Sequence, residues 1–173
     1  HDALPILSDD VIVFNHEDMF LYGDPNHKAL KYFFNLVQDK KVSFIKLLRG
    51  GMTDTLINSD YDGLIASPTD MVFTIQPTVC NRENLITMYK ETEGDTIWSF
   101  ESNTYKTAQK FNFLGCMAFQ DSDRKRGKYH YDSKVYPYIA TSVVKGKWYT
   151  SDYPELTSIL KDYNIDPKVR GEI

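Results

Sequence analysis

The sequence predicts an α+β domain in which an antiparallel five- or six-stranded sheet packs with a long N-terminal helix and a C-terminal helix. Three features predict it. Apolar residues recur at three- and four-residue steps from His27 to about Leu48, the period falls to two after Gly51, and a helical stripe returns after Asp152. The 173 residues suit one core and no linker divides them, so residues 1–173 are read as a single domain.

Taken in order, "VIVF" (11–14) reads as a short strand, followed by the turn-rich "NHEDMFLYGDPN". Asn26 is placed to cap a helix whose stripe is Leu30, Phe33/Phe34, Val37, Phe44/Ile45 and Leu48, with "QDKK" as a break or a bend and Gly50-Gly51 as the stop. Strands are then expected at "MVFTIQP" (71–77), at "NLITMYK" (84–90) across a turn at "CNRE", at "DTIWSFES" (95–102), and at "FNFLGCMAF" (111–119). "YPYIATSVVKGKWYT" (136–150) reads as one interrupted strand or as two turning at Lys145-Gly146. The closing helix carries Leu156, Ile159, Leu160 and Tyr163, with Asp152 and Glu155 as a capping box, Pro154 in the first turn, and Asn164 and Pro167 at its end.

Composition is globular: 42% hydrophobic, 14% aromatic and 25% charged, with a net charge of -4. The acidic balance argues against nucleic acid as a partner. No apolar run approaches the roughly 20 residues that span a bilayer. The first residue is His1, not Met, so the chain reads as a piece of something longer. Cys80 and Cys116 match no zinc motif, and a disulfide and two buried thiols are both compatible with them.

Candidate chemistry is sparse. In "NSDYDGLIASPTD" (58–70), oxygen ligands at positions one, three and five and Gly63 at six imitate a calcium loop, but position twelve is Thr69 where a bidentate Glu belongs. A turn made by Asn and Asp folding onto their own backbone, with positive φ at Gly63, accounts for it better. "PTD" (68–70) with "ESNTYK" (101–106) approaches a metal-dependent nuclease pattern, yet Glu101 and Lys106 are five apart and face opposite ways on a strand. His1, His16, His27 and His130 lie in polar surroundings expected at the surface, outside any nucleophile motif. No glycine-rich phosphate loop occurs, and "KGKWY" (145–149) stands at the wrong end of the chain for a lipocalin Gly-x-Trp. Catalytic residues, metal ligands and cofactors are accordingly predicted as none. The one concentrated charge feature is "DSDRKRGKYHYDSK" (121–134), where Arg124, Lys125, Arg126 and Lys128 stand beside Tyr129 and Tyr131. Such a set can bind a nucleic-acid strand or an acidic partner, or sit on a solvated hairpin tip whose flanking Asp residues dilute the charge.

Three stretches, "HKALKYFFNLVQDKKVSFIKLL", "SPTDMVFTIQPTVCNRENLITMYKETEG" and "VYPYIATSVVKGKWYTSDYPELTSILKDYN", carry a resemblance in element order and texture. They resemble the soluble periplasmic domain of T-even-like phage holins. The resemblance implies a non-enzymatic domain in the periplasm, held at the inner membrane by a segment absent from this sequence. It would bind a small antiholin protein, restrain self-association through that membrane segment and so delay lysis. A helix-in-groove contact suits this role, because Tyr32, Phe33, Leu36 and Val37 cover much of the first helix; such a helix is either buried centrally or shared with a partner. With Arg124, Arg126 and Tyr129 of the charged stretch, these are the expected partner-binding residues. The alternative is an extracytoplasmic sensor domain of the PAS/Cache type, with Trp98, Tyr105, Trp148 and Tyr149 around a small ligand on the sheet's face.

Overall fold

The computed structural model describes residues 7–50 and 57–173. His1 and the Gly51 half of the expected helix stop lie outside the described residues. The fold is mixed α+β, built on a five-stranded sheet in the order β1-β4-β2-β5-β3. Its strands are β1 (Val11–Phe14), β2 (Phe44–Lys46), β3 (Leu64–Ala66), β4 (Thr78–Asn81) and β5 (Gly115–Ala118). The sheet is mixed and not antiparallel as expected, because the central strand β2 runs parallel to β5. The other pairings, β1 with β4, β2 with β4 and β3 with β5, are antiparallel.

Alternation along each strand divides the core into two layers. Ile45, Val79, Cys116, Ala118 and Leu64 pack with Leu30, Phe33, Leu36 and Val37 of α1 (His27–Gln38). Phe44, Cys80 and Phe73 pack on the opposite face with Leu85 and Met88 of α2 (Arg82–Glu91) and with Phe100 and Ala108 of α3 (Ile97–Phe111). Phe73 is fully enclosed, with edge or tilted ring contacts to Phe14, Phe44, Tyr89 and Phe100. The alternation also settles the thiols. Cys80 and Cys116 stand on opposite faces of the sheet, separated by β2, and both are free and buried.

The long first helix is not formed. Asn26 does cap α1, accepting from Ala29 N at 3.1 Å, but the helix ends at Gln38. Lys40 takes the left-handed conformation at φ 58°, its N–H reaches Val37 O, and Lys41 N–H reaches Leu36 O. That is a Schellman stop with lysine where glycine usually sits, so of the two expected outcomes "QDKK" breaks the helix and does not bend it. The chain then enters β2, and Phe44, Ile45 and Leu48 leave the helical stripe for the sheet and the loop beyond it.

Three expected strands are also replaced. Of residues 71–77, Met71 closes a single 3-10 turn, Thr69–Met71, and the rest form no strand, while 84–90 and 95–102 fall in α2 and at the start of α3. "CNRE" is not a hairpin turn: Asn81 ends β4 and caps α2, accepting from Glu83 N and Asn84 N. The apparent calcium loop is a turn, with Ser59 Oγ accepting from Tyr61 N and Gly63 at φ 71°, and it leads into β3 earlier than expected.

The remainder of the chain forms a third cluster. The hairpins β6 (Lys125–Arg126) with β7 (His130–Tyr131) and β8 (Val143–Val144) with β9 (Lys147–Trp148) precede α4 (Glu155–Asp162) and α5 (Pro167–Arg170). Lys145-Gly146 does turn the second hairpin, at φ 50° and 80°. Tyr138, Ile139, Trp148, Tyr153, Leu156 and Leu160 make this cluster's interior. The closing helix forms as expected but without the capping box: Pro154 occupies the cap position, and the Asp152 carboxylate accepts from Tyr149 Oη at 2.5 Å instead. Pro167 does not end that helix but starts α5, capped by Asp166. Among the described residues no helix is long and apolar enough to cross a membrane.

Candidate functional site

The charged stretch 121–134 becomes the β6–β7 hairpin, and its four central cations have opposite fates. Arg126 points inward and is 6% exposed. Its Nε donates to Asp132 Oδ1 at 2.7 Å, Nη1 donates to Asp152 O at 2.6 Å and to Glu155 Oε2 at 3.2 Å, and Nη2 donates to Glu155 Oε1 at 2.5 Å. The guanidinium also lies 5.3 Å from the Tyr153 ring centroid. Burial alone would lower the Arg126 pKa, but these hydrogen bonds and charges raise it above the ordinary value. Burial likewise pushes the Glu155 carboxyl up, and Arg126 more than reverses that, leaving it below the usual carboxylate range. Gly127, at φ 55°, makes the turn possible: a Cβ there would stand 2.6 Å from Asp152 Oδ2.

The anchored hairpin leaves Arg124, Lys125, Lys128 and Tyr129 on the outside. The Arg124 side chain is 64% exposed, with Nε 3.4 Å from Asp132 Oδ2. At the base of the hairpin is a cleft of about 250 Å³ lined by Tyr22, Ser122, Asp123, Arg124, Asp132, Ser133, Lys134 and Pro137. Tyr22 Oη donates to Asp132 Oδ1 at 3.3 Å, and burial followed by the Asp132 charge pushes its pKa up to about 12. Lys134 Nζ donates to Ser122 Oγ at 2.6 Å. Asp123 Oδ2 accepts from Gln120 N at 2.8 Å, while Oδ1 is buried and meets no hydrogen-bond partner among the described residues. Burial raises the Asp123 carboxyl.

The expected partner-binding residues divide accordingly. Phe33, Leu36 and Val37 are core, between 1% and 5% exposed, and Arg126 is spent on its internal fork, so none of these offers surface to a partner. Tyr32, Arg124 and Tyr129 are exposed. The rings expected around a sheet-face ligand do not share surroundings. Trp98 is 76% exposed on α3 while Trp148 is buried in the C-terminal cluster, and both faces of the sheet are filled by helices. Among the histidines, His130 is not at the open surface: it bridges to Gly50, and burial lowers its pKa to about 4.

The nuclease-like pair acquires an unexpected neighbour. Glu101 lies on α3, where Oε1 accepts from Ile75 N at 2.7 Å, and the cation beside Glu101 and Asp70 is Lys46. Lys46 is 4% exposed, and its Nζ donates to Met71 O. Desolvation lowers its pKa to about 7, against the opposing charges of Glu101 and Asp70. This internal cation ties the 3-10 turn to the central strand. Lys106, which the sequence pattern would have used, is exposed. Among the described residues no group of three or more His, Cys, Asp or Glu side chains is placed to hold a metal ion.

Asp132, Glu155, Asp123, Tyr22 and Lys134 were not singled out by sequence for the roles they take. Tyr22 stands 110 residues from the aspartate it meets, and no local spacing signals that contact. No known protein family, curated protein or solved structure matches the chain.

Proposed function

We propose that this chain is a non-enzymatic binding domain of the kind a phage holin carries in the periplasm, and that it grips a small antiholin protein to delay lysis. What supports this is the division of labour in the β6–β7 hairpin. A guanidinium served by two carboxylates and a carbonyl fixes its base, while Arg124, Lys125, Lys128 and Tyr129 face outward as one cationic and aromatic surface. Fixing the hairpin that carries those side chains lowers the ordering cost of association, and arginine and tyrosine are residues that concentrate binding energy. Under this proposal the inner-membrane segment lies outside the present sequence and mediates self-association once the antiholin is released.

The test is lysis timing in cells expressing the complete reading frame with its antiholin. The Arg124→Glu/Lys128→Glu pair is expected to abolish the antiholin-dependent delay while the purified domain keeps its unfolding midpoint. An unchanged delay, together with unchanged antiholin binding, would refute the assignment of this surface.

The cleft at the hairpin's base favours a second reading, a sensor domain holding a small ligand. The ligand would sit beside Tyr22 and Asp132 and not on the sheet face.

A further inference from the structure

The two edges of the five-stranded sheet are finished differently. At β3, Asn58 bridges to Ile65 and Ala66 N–H donates to Ile57 O at 3.0 Å, so the preceding loop covers that edge. At β1 no such cover exists among the described residues. Val11, Ile12, Val13 and Phe14 pair with Asn81, Cys80, Val79 and Thr78 of β4, and Arg82 N–H donates to Asp10 O at 2.8 Å. Alternate residues carry the bonds of an antiparallel ladder, so Asp10, Ile12 and Phe14 turn their backbone groups to β4, while Val11 and Val13 turn theirs outward. Those outward N–H and C=O groups have no hydrogen-bond partner among the described residues, and the strand is only half-buried. An apolar strand with unpaired backbone at its edge is a template for another strand. Val11 and Val13 pack with the α1 layer, and Ile12 and Phe14 with the layer of α2 and α3. An added strand therefore meets apolar residues on either face.

Charge selects the occupant. Asp9 and Asp10 precede the strand and Glu17 follows it; all three are exposed, and none has an ion pair among the described residues. Asp18 is held by His16 at 2.6 Å. Antiparallel pairing of β1 with a second copy about Ile12 sets Asp9 opposite Asn15 of that copy, one diagonal step from its Glu17. In-register parallel pairing sets like acids side by side. Acids at both ends thus oppose self-pairing and favour a segment that brings cations.

We propose that the edge of β1 docks an extended apolar segment of a protein partner, bounded by lysine or arginine, as an added strand of the sheet. Its backbone pairs with Val11 and Val13, and its terminal cations meet Asp9 or Asp10 at one end and Glu17 at the other. This edge is distinct from the β6–β7 hairpin, and the inference does not rest on the function proposed above.

The experiment is amide hydrogen exchange, detected by NMR, of the 173-residue chain with two capped peptides, Lys-Val-Thr-Val-Thr-Val-Lys and Glu-Val-Thr-Val-Thr-Val-Glu. The basic peptide is expected to slow exchange at Val11 and Val13, while Ile12 and Phe14, already turned to β4, exchange as before. It is expected to bind about tenfold more tightly than the acidic one, the sum of small effects from exposed charge pairs at both ends. Methylating the basic peptide on its core backbone nitrogens should abolish the protection. Val11→Pro removes an outward N–H at the first residue of β1 and leaves the β4 bonds in place, so it should weaken binding about tenfold, the scale of one hydrogen bond. If that variant does not fold, the methylated peptide decides. Equal binding of the two peptides overturns the basic partner. A concentration-dependent dimer that Val11→Pro dissociates makes a second copy the occupant and overturns the proposal. No alternating protection with either peptide overturns the docking edge itself.

Discussion

Among the described residues two cations are buried, and their surroundings treat them differently. Lys46, the last residue of the central strand, has one carbonyl acceptor and two carboxylates acting on it by charge, and desolvation brings its pKa down to about 7. Arg126, under the hairpin, is scarcely more exposed, yet its pKa rises because two carboxylates and a carbonyl meet its donors at hydrogen-bond distance. Burial sets the penalty in both places, and directed hydrogen bonds decide whether it is recovered. A planar guanidinium can engage several acceptors in fixed directions, whereas a compact ammonium in an apolar layer has little to gain beyond its single carbonyl.

The largest test of that contrast is Arg126→Ala. It strands Glu155, leaves Asp132 with only Tyr22 and Arg124 among the described residues, and detaches the hairpin from α4. A loss of about 3 kcal/mol in chemical denaturation is expected, the low end for a buried pair because both carboxylates keep some water contact. A loss below about 0.5 kcal/mol, the scale of an ordinary surface change, would remove the anchor from the account. Next is the pH dependence of Lys46. The unfolded side chain titrates near the ordinary lysine value of 10.5 and the folded one at about 7, so between these values only the unfolded state holds the proton. Stability should therefore climb as pH rises from 7 towards 10.5, by up to about 1.4 kcal/mol per pH unit from this group. Lys46→Met should flatten that climb relative to the wild type; parallel curves would show that Lys46 keeps its charge in the fold.

On the acid side the order reverses. Glu155 is held below its ordinary value, so its contribution is complete above about 4.5 and is lost as pH falls through its lower folded value. Glu155→Gln should cost about 1 kcal/mol near neutrality and soften the acid limb of the stability curve. An acid limb identical to the wild type would contradict the pairing. The smallest expected effect is at the thiols, which are buried without a comparable partner, as Lys46 nearly is. Burial pushes Cys80 up to about 12 and Cys116 to about 11, and the sheet stands between them. A reductant should leave the unfolding midpoint unchanged, and a thiol reagent should react only as the chain unfolds; a midpoint that drops in reductant would point to a bridge.

The pattern of successes and misses in the sequence has physical causes. Asn26 as a cap, the Lys145-Gly146 turn and the closing helix were legible because each depends on neighbours within a few residues. The end of α1 was only half legible: "QDKK" reads as a break or a bend, and the choice was hidden because Lys40 takes a left-handed position that glycine usually advertises. Nor was α3: its buried face runs Phe100, Thr104, Thr107 and Ala108, and two hydroxyls on that stripe concealed the helical period. Those threonines are satisfied inside the protein, Thr104 by Phe73 O at 3.2 Å and Thr107 by Thr92 at 2.7 Å. At the candidate site, the charged stretch was visible, but its division into one inward and several outward cations was not.

Sequence by itself determined that this is an α+β chain, with local caps and turns at particular residues and one conspicuous run of cations. Only the tertiary structure decided that the central strand β2 runs parallel to β5, that Phe33, Leu36 and Val37 are core, and that Arg126 serves as an anchor while Arg124 stays exposed. Caps and turns are short-range, so a few adjacent residues suffice to specify them. The pairing of a strand or the partner of a charge depends on segments far apart in the chain, and a cation's role follows from which carboxylates the fold brings within about 3 Å of it.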